Sequence, residues 1–358
     1  MKEMKIDFRG FPRNNLDNGG KTLYVRHLSR DFHDSTKSTM YTNPLTTRNS
    51  PDPAVMFHNG FYYAVECAGE HGASVDVSKS RRLADLYHAE RKRVYTSTHP
   101  VFQFTHWAPE LWHLDGAWYV YTCAIQGADN ATRRVIVLKG TTQDPQDPFE
   151  FAGALELGDC YGLDSSILHA PNGKRYLLWA GSKIKGIHYP TQLYIAEMES
   201  PVKMKTPGDR LMLREAEHPW ERVTADGGEA RVVEGPACLV RNGVVSVVYS
   251  CNGFEDANYC LGMLVCRNAS DPDFRNWKWE ASPVPVFAKT AKVWGPGHNC
   301  FTVSPDGTED WILYHCKASP EKGAFRVANM QKVQWEKDLP VLGAPVDPGL
   351  ELEEPSGS

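Results

Sequence analysis

No run in the 358-residue chain approaches the roughly 18 consecutive apolar residues of a membrane-spanning helix. The N-terminus, MKEMKIDFRGFPRNN, carries charge but no apolar core segment, so neither a membrane anchor nor a secretory leader is expected. A basic excess is missing as well. Lys and Arg number 39 against 44 Asp and Glu, a net charge of −5, which argues against a nucleic-acid-binding face. The nine cysteines include no C-x-x-C pair and no zinc-type Cys/His spacing. Without a leader, a disulfide framework is not expected and the sequence reads as cytoplasmic, so the sequons at Asn130 and Asn268 are read as accidental. Helical periodicity is scarce, with SKSRRLADLYHAER (78–91) its best candidate, as a helix or an irregular connection.

What the chain does have is aromatics and turn formers. Ten Trp, fifteen Tyr and fourteen Phe sit beside 29 Gly and 24 Pro, the composition of aromatic strands punctuated by turns. Five segments share one layout: a lead residue, an apolar strand, a glycine turn and a second, aromatic strand. They are DPAVMFHNGFYYAVEC from Asp52, WAPELWHLDGAWYVYTC from Trp107, LDSSILHAPNGKRYLLWAG around Asp164, EGPACLVRNGVVSVVYSC from Glu234, and GHNCFTVSPDGTEDWILYHC led by His298. Lead-to-glycine offsets are 8, 9, 9, 9 and 9 (Gly60, Gly116, Gly173, Gly243, Gly307), and successive leads lie 55, 57, 70 and 64 residues apart. Asn-Gly and Asp-Gly between apolar runs are strong hairpin signals, because primed turns need positive φ.

A hairpin plus further strands, such as RRVIVLKG and TQLYIAEM, repeating at about 60 residues fits a four-stranded propeller blade. The expected fold is all-β, a five-bladed β-propeller over 42–345. Residues 1–41 form an N-terminal extension in which TLYVRHL is a candidate ring-closing strand, and 346–358 a C-terminal tail. A β-sandwich has no reason to repeat at this period. Cys67, Cys123, Cys251 and Cys316 end equivalent aromatic runs and read as small buried hydrophobes.

If the inner strands start from one face, the lead residues converge on the channel mouth. Three of the five, Asp52, Asp164 and Glu234, are carboxylates, which a hairpin does not need and whose mutual repulsion costs energy. Carboxylates around a pocket of Trp, Tyr and His suggest glycoside hydrolysis. There one carboxylate activates water, a protonated one delivers its proton to the leaving oxygen, and a third ionised one keeps the acid protonated.

S-P-D-P-A-V followed by F-Y-Y, W-A-P-E-L, L-D-S-S, V-V-E-G-P-A and G-P-G-H-N, in order at blade spacing from about Asn43 to about Gly343, resemble glycoside hydrolase family 43. The resemblance implies a five-bladed propeller and an inverting mechanism with no required cofactor. By position it makes Asp52 the general base, Glu234 the general acid, and Asp164 the residue that tunes and orients the acid. It places His298 on the channel axis, where relatives hold a calcium or sodium ion through water; a hydrogen-bonded structural histidine is the ordinary alternative.

Trp220-Glu221, V-W-G-P-G-H-N (293–299), W-I-L-Y-H (311–315) and Arg326 to Gln331 resemble the α-L-arabinofuranosidase branch. That implies an exo-enzyme releasing terminal α-L-arabinofuranose from arabinan-derived or arabinose-substituted oligosaccharides. A β-D-xylosidase, or a bifunctional arabinosidase/xylosidase, is the alternative within enzymes, although only fifteen residues follow Gly343, too few for the sandwich domain common among xylosidases. A non-catalytic sugar-binding propeller would have no use for the acid trio, and a metal-dependent phosphatase or lactonase would need more ligands than His298. The expected partner is an oligosaccharide, with neither nucleic acid nor membrane. Candidate substrate-binding residues are Trp107 as a stacking platform, Tyr161 and Trp294 as subsite lining, His298, and Arg326 on a sugar hydroxyl or on Asp164. Glu110 reads as strand-facing or rim rather than catalytic, Cys300 as packing, and His58, His106, His113, His188 and His315 as structural or exposed.

Overall fold

The computed structural model describes residues 39–127, 129–158, 161–184, 189–224 and 226–358. The segment TLYVRHL and His188 lie outside the described residues. The chain is a five-bladed β-propeller, as the repeat predicts. The inner strands are Val55–His58, Glu110–Leu114, Gly162–His169, Val233–Arg241 and Trp294–Val303. Each pairs antiparallel with the second strand of its blade: Phe61–Ala68, Ala117–Gln126, Arg175–Gly181, Val244–Cys251 and Asp310–Lys317. Third and fourth strands continue outward in blades 1 to 4.

The hairpins show why the sequence folds this way. At Asn59-Gly60, Asp115-Gly116 and Asn242-Gly243 both turn residues have positive φ (49° and 78°, 50° and 78°, 48° and 82°), the pattern of a type I′ turn. In the Pro-Asn-Gly and Pro-Asp-Gly loops of blades 3 and 5 only the glycines, Gly173 and Gly307, are left-handed, and those loops are longer.

Among the described residues the apolar core falls into five clusters, each lying mainly between two neighbouring blades. The large rings filling them come from second strands: Tyr62, Trp118, Tyr121, Tyr176, Trp179, Tyr249 and Tyr314 are almost wholly buried. Burying each such side chain contributes about 1.5–3 kcal/mol, so the blades hold one another through their aromatics. The eight described cysteines are free thiols, and Cys123, Cys251 and Cys316 are buried in these layers.

The ring closes at blade 5. Its third strand, Arg326–Lys332, accepts Leu45 N–H at Ala328 O and Ser50 N–H at Arg326 O, while the Asn43 amide both donates to and accepts from the Met330 backbone. Met40–Thr42 pairs antiparallel with Glu351–Glu353. Residues 81–89 form irregular turns rather than a helix; Leu83, Leu86 and Tyr87 are buried in the cluster between blades 5 and 1. The described residues contain no α-helix, only three single-turn 3-10 segments, and no helix long and apolar enough to cross a membrane.

Candidate active site

One residue near the start of each inner strand is left-handed: Asp52 (φ 52°), Ala108 (42°), Asp164 (51°), Gly235 (54°) and His298 (43°). Four of the five carry a Cβ that makes this conformation costly, about 1–3 kcal/mol each, so the ring of kinks is held by its surroundings. These kinks define the structural phase of the repeat. They lie 8, 8, 9, 8 and 9 residues before the turn glycines, so Trp107 and Glu234 precede the kink by one residue. The three acids therefore do not share one phase: Asp52 and Asp164 sit on the kink, and Glu234 sits just before it. Gly235 supplies the close approach, since a Cβ there would stand 3.2 Å from the His298 ring.

A cavity of about 380 Å³ opens at this end of the axis. It gathers Asp52, Asp164, Glu234, His298 and Arg326, with Trp107 and Tyr161 on its wall. Trp294 does not line it. Two register breaks separate Trp294 from Cys300, and left-handed Gly295 turns the chain, leaving Trp294 opposite Lys317. Three contributors were not anticipated: Tyr189 and Phe254 on the wall, and His315 beneath Asp52.

The charges are separated. Burial alone would raise the Asp52 carboxyl, but Arg326, with His298 and His315, outweighs it and holds Asp52 well below the usual carboxylate range. Arg326 Nη1 donates to Asp52 Oδ1 at 2.8 Å, so its partner is Asp52 rather than Asp164. His315 Nδ1 lies 3.1 Å from the backbone N and 3.3 Å from Oδ1 of Asp52; burial pushes this imidazole down to about 4. His298 Nδ1 lies 3.3 Å from Asp52 Oδ1 and 3.9 Å from Asp164 Oδ2, and burial lowers it too.

The other two carboxyls move the opposite way. Burial raises Glu234 to about 7; the charge of Asp52 adds to this, while the Tyr259 hydroxyl and Arg326 oppose it. Burial also pushes Asp164 well up, helped by the charges of Glu234 and Asp52. Gly235 N–H donates to Asp164 Oδ2 at 3.2 Å, tying Asp164 to the strand that carries Glu234. An oxygen of Asp164 and one of Glu234 lie within 4.8 Å of each other and of a His298 nitrogen. Two buried carboxyls that close do not both ionise readily, so near neutrality one proton resides on the pair.

Trp107 is 42% exposed, and its indole lies over the buried Arg133 guanidinium, 3.9 Å from ring centroid to Cζ. Arg133 Nη1 in turn donates to the hydroxyl and carbonyl of Thr105, at 2.8 and 3.3 Å. A cation beneath a ring fixes it. Glu110 begins the inner strand of blade 2, donates nothing to the main cavity, and is raised by burial to about 7.

The trio Asp164, Glu234 and His298 is a poor cage for the calcium or sodium ion expected near His298. Hard cations want six or more oxygens, and direct binding would expel the proton that the carboxyl pair retains. The axial cavity beneath, bounded in part by Glu110, His298 and Asn299, is small, about 10 Å³, enough to seat a water.

A channel-mouth cavity with one carboxylate held ionised and another held protonated is the equipment of an acid–base glycosidase. Residues 41–340 match Glycosyl hydrolases family 43, and the chain belongs to that family of glycoside hydrolases. It is 34% identical over 299 residues to an extracellular exo-α-(1→5)-L-arabinofuranosidase of Streptomyces chartreusis, covering 81% of this chain and 86% of that protein. It is 31% identical to α-L-arabinofuranosidase 43 of Humicola insolens, spanning 86% of this chain and 64% of the relative. The crystal structure of an α-L-arabinofuranosidase from Lactobacillus brevis superposes with a TM-score of 0.76 at 30% identity, covering 87% of this chain and 98% of that one.

Proposed function

We propose that the protein is an exo-acting, inverting α-L-arabinofuranosidase that removes terminal arabinofuranose from arabinan-derived or arabinose-substituted oligosaccharides. The observation that carries this reading is the placing of three buried carboxyls in one cavity: Asp52 bonded to Arg326, which favours its ionised form, and Glu234 close to Asp164, where burial favours a proton held on the pair. Asp52 takes a proton from water as the water oxygen bonds to the anomeric carbon. Glu234 gives its proton to the leaving oxygen as the glycosidic bond breaks. Asp164, tied to Gly235, orients the acid and shares its proton. Trp107, braced by Arg133, offers an apolar face to the C–H side of a sugar ring. His298 bridges the carboxylates of Asp52 and Asp164, and Tyr161 adds to the wall.

The names of the relatives support arabinofuranose over xylopyranose. They do not support a cytoplasmic setting. Free buried thiols fit a reducing compartment, whereas the Streptomyces relative is named extracellular. The purified protein is expected to hydrolyse an aryl α-L-arabinofuranoside much faster than an aryl β-D-xylopyranoside, and proton NMR should show the inverted anomer first. The reverse substrate order would overturn the specificity, and a retained anomer would overturn the three-carboxylate mechanism.

A further inference from the structure

Glu234 stands at the end of a short chain of buried polar groups, His298 N–H, Ser250 and Tyr259. The backbone N–H of His298, which can only donate, bonds Ser250 Oγ at 2.8 Å. Ser250 is fully buried and faces Glu234 across the blade 4 hairpin. Its hydroxyl also acts on Tyr259, favouring the ionised form of the phenol as a donor beside the phenol oxygen would. The Tyr259 hydroxyl then donates to Glu234 Oε1 at 2.8 Å. The Tyr259 hydroxyl has a single hydrogen, and spending it on Oε1 leaves the other Glu234 oxygen to carry the carboxyl proton.

Packing alone does not call for this phenol, because phenylalanine would fill the same space. The Tyr259 ring is completely buried and stacks on His315, centroids 5.5 Å apart with 6° between the planes. Gly297 admits it: a Cβ there would come within 2.4 Å of the ring. The ring thus sits between the histidine that underlies Asp52 and the carboxyl of Glu234.

We propose that Tyr259, backed by Ser250, is a positioning residue that fixes Oε1 of Glu234 as an acceptor, so that the proton delivered to the leaving oxygen is carried on Oε2. This rests on Glu234 being the general acid. As the bond from the anomeric carbon to the leaving oxygen breaks, its electron pair goes to that oxygen, which takes the Oε2 proton. Water bonds to the carbon and loses its proton to Asp52. The carboxylate left behind keeps the Tyr259 bond, now charge-assisted and stronger, so the chain favours proton departure.

A leaving group that needs no proton should be indifferent to the chain, and this sets the test. Tyr259→Phe and Ser250→Ala are assayed on an unactivated α-1,5-linked arabino-oligosaccharide and on 2,4-dinitrophenyl α-L-arabinofuranoside. For Tyr259→Phe the expected result is a roughly tenfold fall in kcat on the oligosaccharide at unchanged KM, with at most a twofold fall on the dinitrophenyl substrate. Ser250→Ala should show the same pattern, smaller. Equal losses on both substrates, or no loss on the oligosaccharide, would overturn the proposal. Glu234→Gln run alongside separates the two claims: if it stays fully active on the oligosaccharide, the acid assignment itself fails, whatever the Tyr259 variant does.

Discussion

Glu234→Gln should make the folded protein more stable, by a margin that opens above about pH 4.5 and is complete above neutral pH. The Glu234 carboxyl ordinarily titrates near 4.5 and is raised to about 7 here, chiefly by burial. Below 4.5 it is protonated in both folded and unfolded chains and contributes no difference. Between 4.5 and 7 the unfolded chain ionises while the folded one does not, so folding loses stability as pH rises. Above 7 the folded protein carries a buried, crowded carboxylate at full cost. The interval from 4.5 to about 7 corresponds to about 3 kcal/mol. Glutamine keeps the shape and an oxygen for Tyr259 to bond, and removes the charge. For a chain of this size about 3 kcal/mol translates into a Tm gain of roughly 4–8 °C. Calorimetric melts of the parent and the variant at pH 5 and pH 8.5 check this. The gap should be small at pH 5 and open at pH 8.5. A gap of the same size at both pH values, or a variant less stable than the parent at pH 8.5, would refute the claim that burial keeps Glu234 protonated.

Arg326→Leu removes the cation that chiefly holds Asp52 ionised against its burial, so the Asp52 carboxyl should rise. The acidic limb of the kcat/KM profile should then move to higher pH, and the alkaline limb, set by Glu234, should rise as well, because Arg326 also opposes the upward shift of that carboxyl; an unmoved acidic limb would remove Arg326 from this role. Trp107→Ala should raise KM for arabino-oligosaccharides roughly tenfold with kcat nearly unchanged, as expected for a ring worth about 1 kcal/mol or more in stacking. A fall in kcat at constant KM would instead place Trp107 against the reacting centre.

The blades were legible because their signals are local. Asn59-Gly60, Asp115-Gly116 and Asn242-Gly243 adopt positive φ at both residues, which few other residue pairs accept. The acids were legible as an unneeded repetition, although their phase was not. Counting from the turn glycine, sequence cannot distinguish a two-residue turn from a longer Pro-Asn-Gly loop, and that one residue decides whether an acid sits on the kink or before it. Trp294 was misplaced for a related reason: two register breaks intervene between it and Cys300. Tyr259 was missed because it meets Glu234 from 25 residues along the chain, just before the third strand of the same blade, and His315 because it acts across blades. His315 belongs to blade 5 and meets Asp52 of blade 1 only once the ring is closed.

A second periodicity could nevertheless have pointed to them. In four blades the residue before the strand-ending cysteine is polar and buried: Glu66, Thr122, Ser250 and His315. A second strand packed between blades would ordinarily place an apolar residue there, and burying a polar one is tolerated only with a partner. Each has one beside the cavity. Glu66 takes both guanidinium nitrogens of Arg48 at 2.7 Å, and Thr122 Oγ1 donates to Trp107 O at 2.8 Å. Ser250 receives His298 N–H, and His315 lies against Asp52. These second-strand residues therefore brace the first-strand ring from below, and they account for how Asp52, Trp107 and His298 are held at or beside a strained backbone. In blade 3 the corresponding residue of the second strand is the apolar Ala180, and there the burden passes to the Gly235 N–H that grips Asp164 from the next blade. Strain at the axis and polarity one strand further out are two halves of one arrangement, which makes the Tyr259–Ser250 pair an extension of a rule that four of the five blades obey.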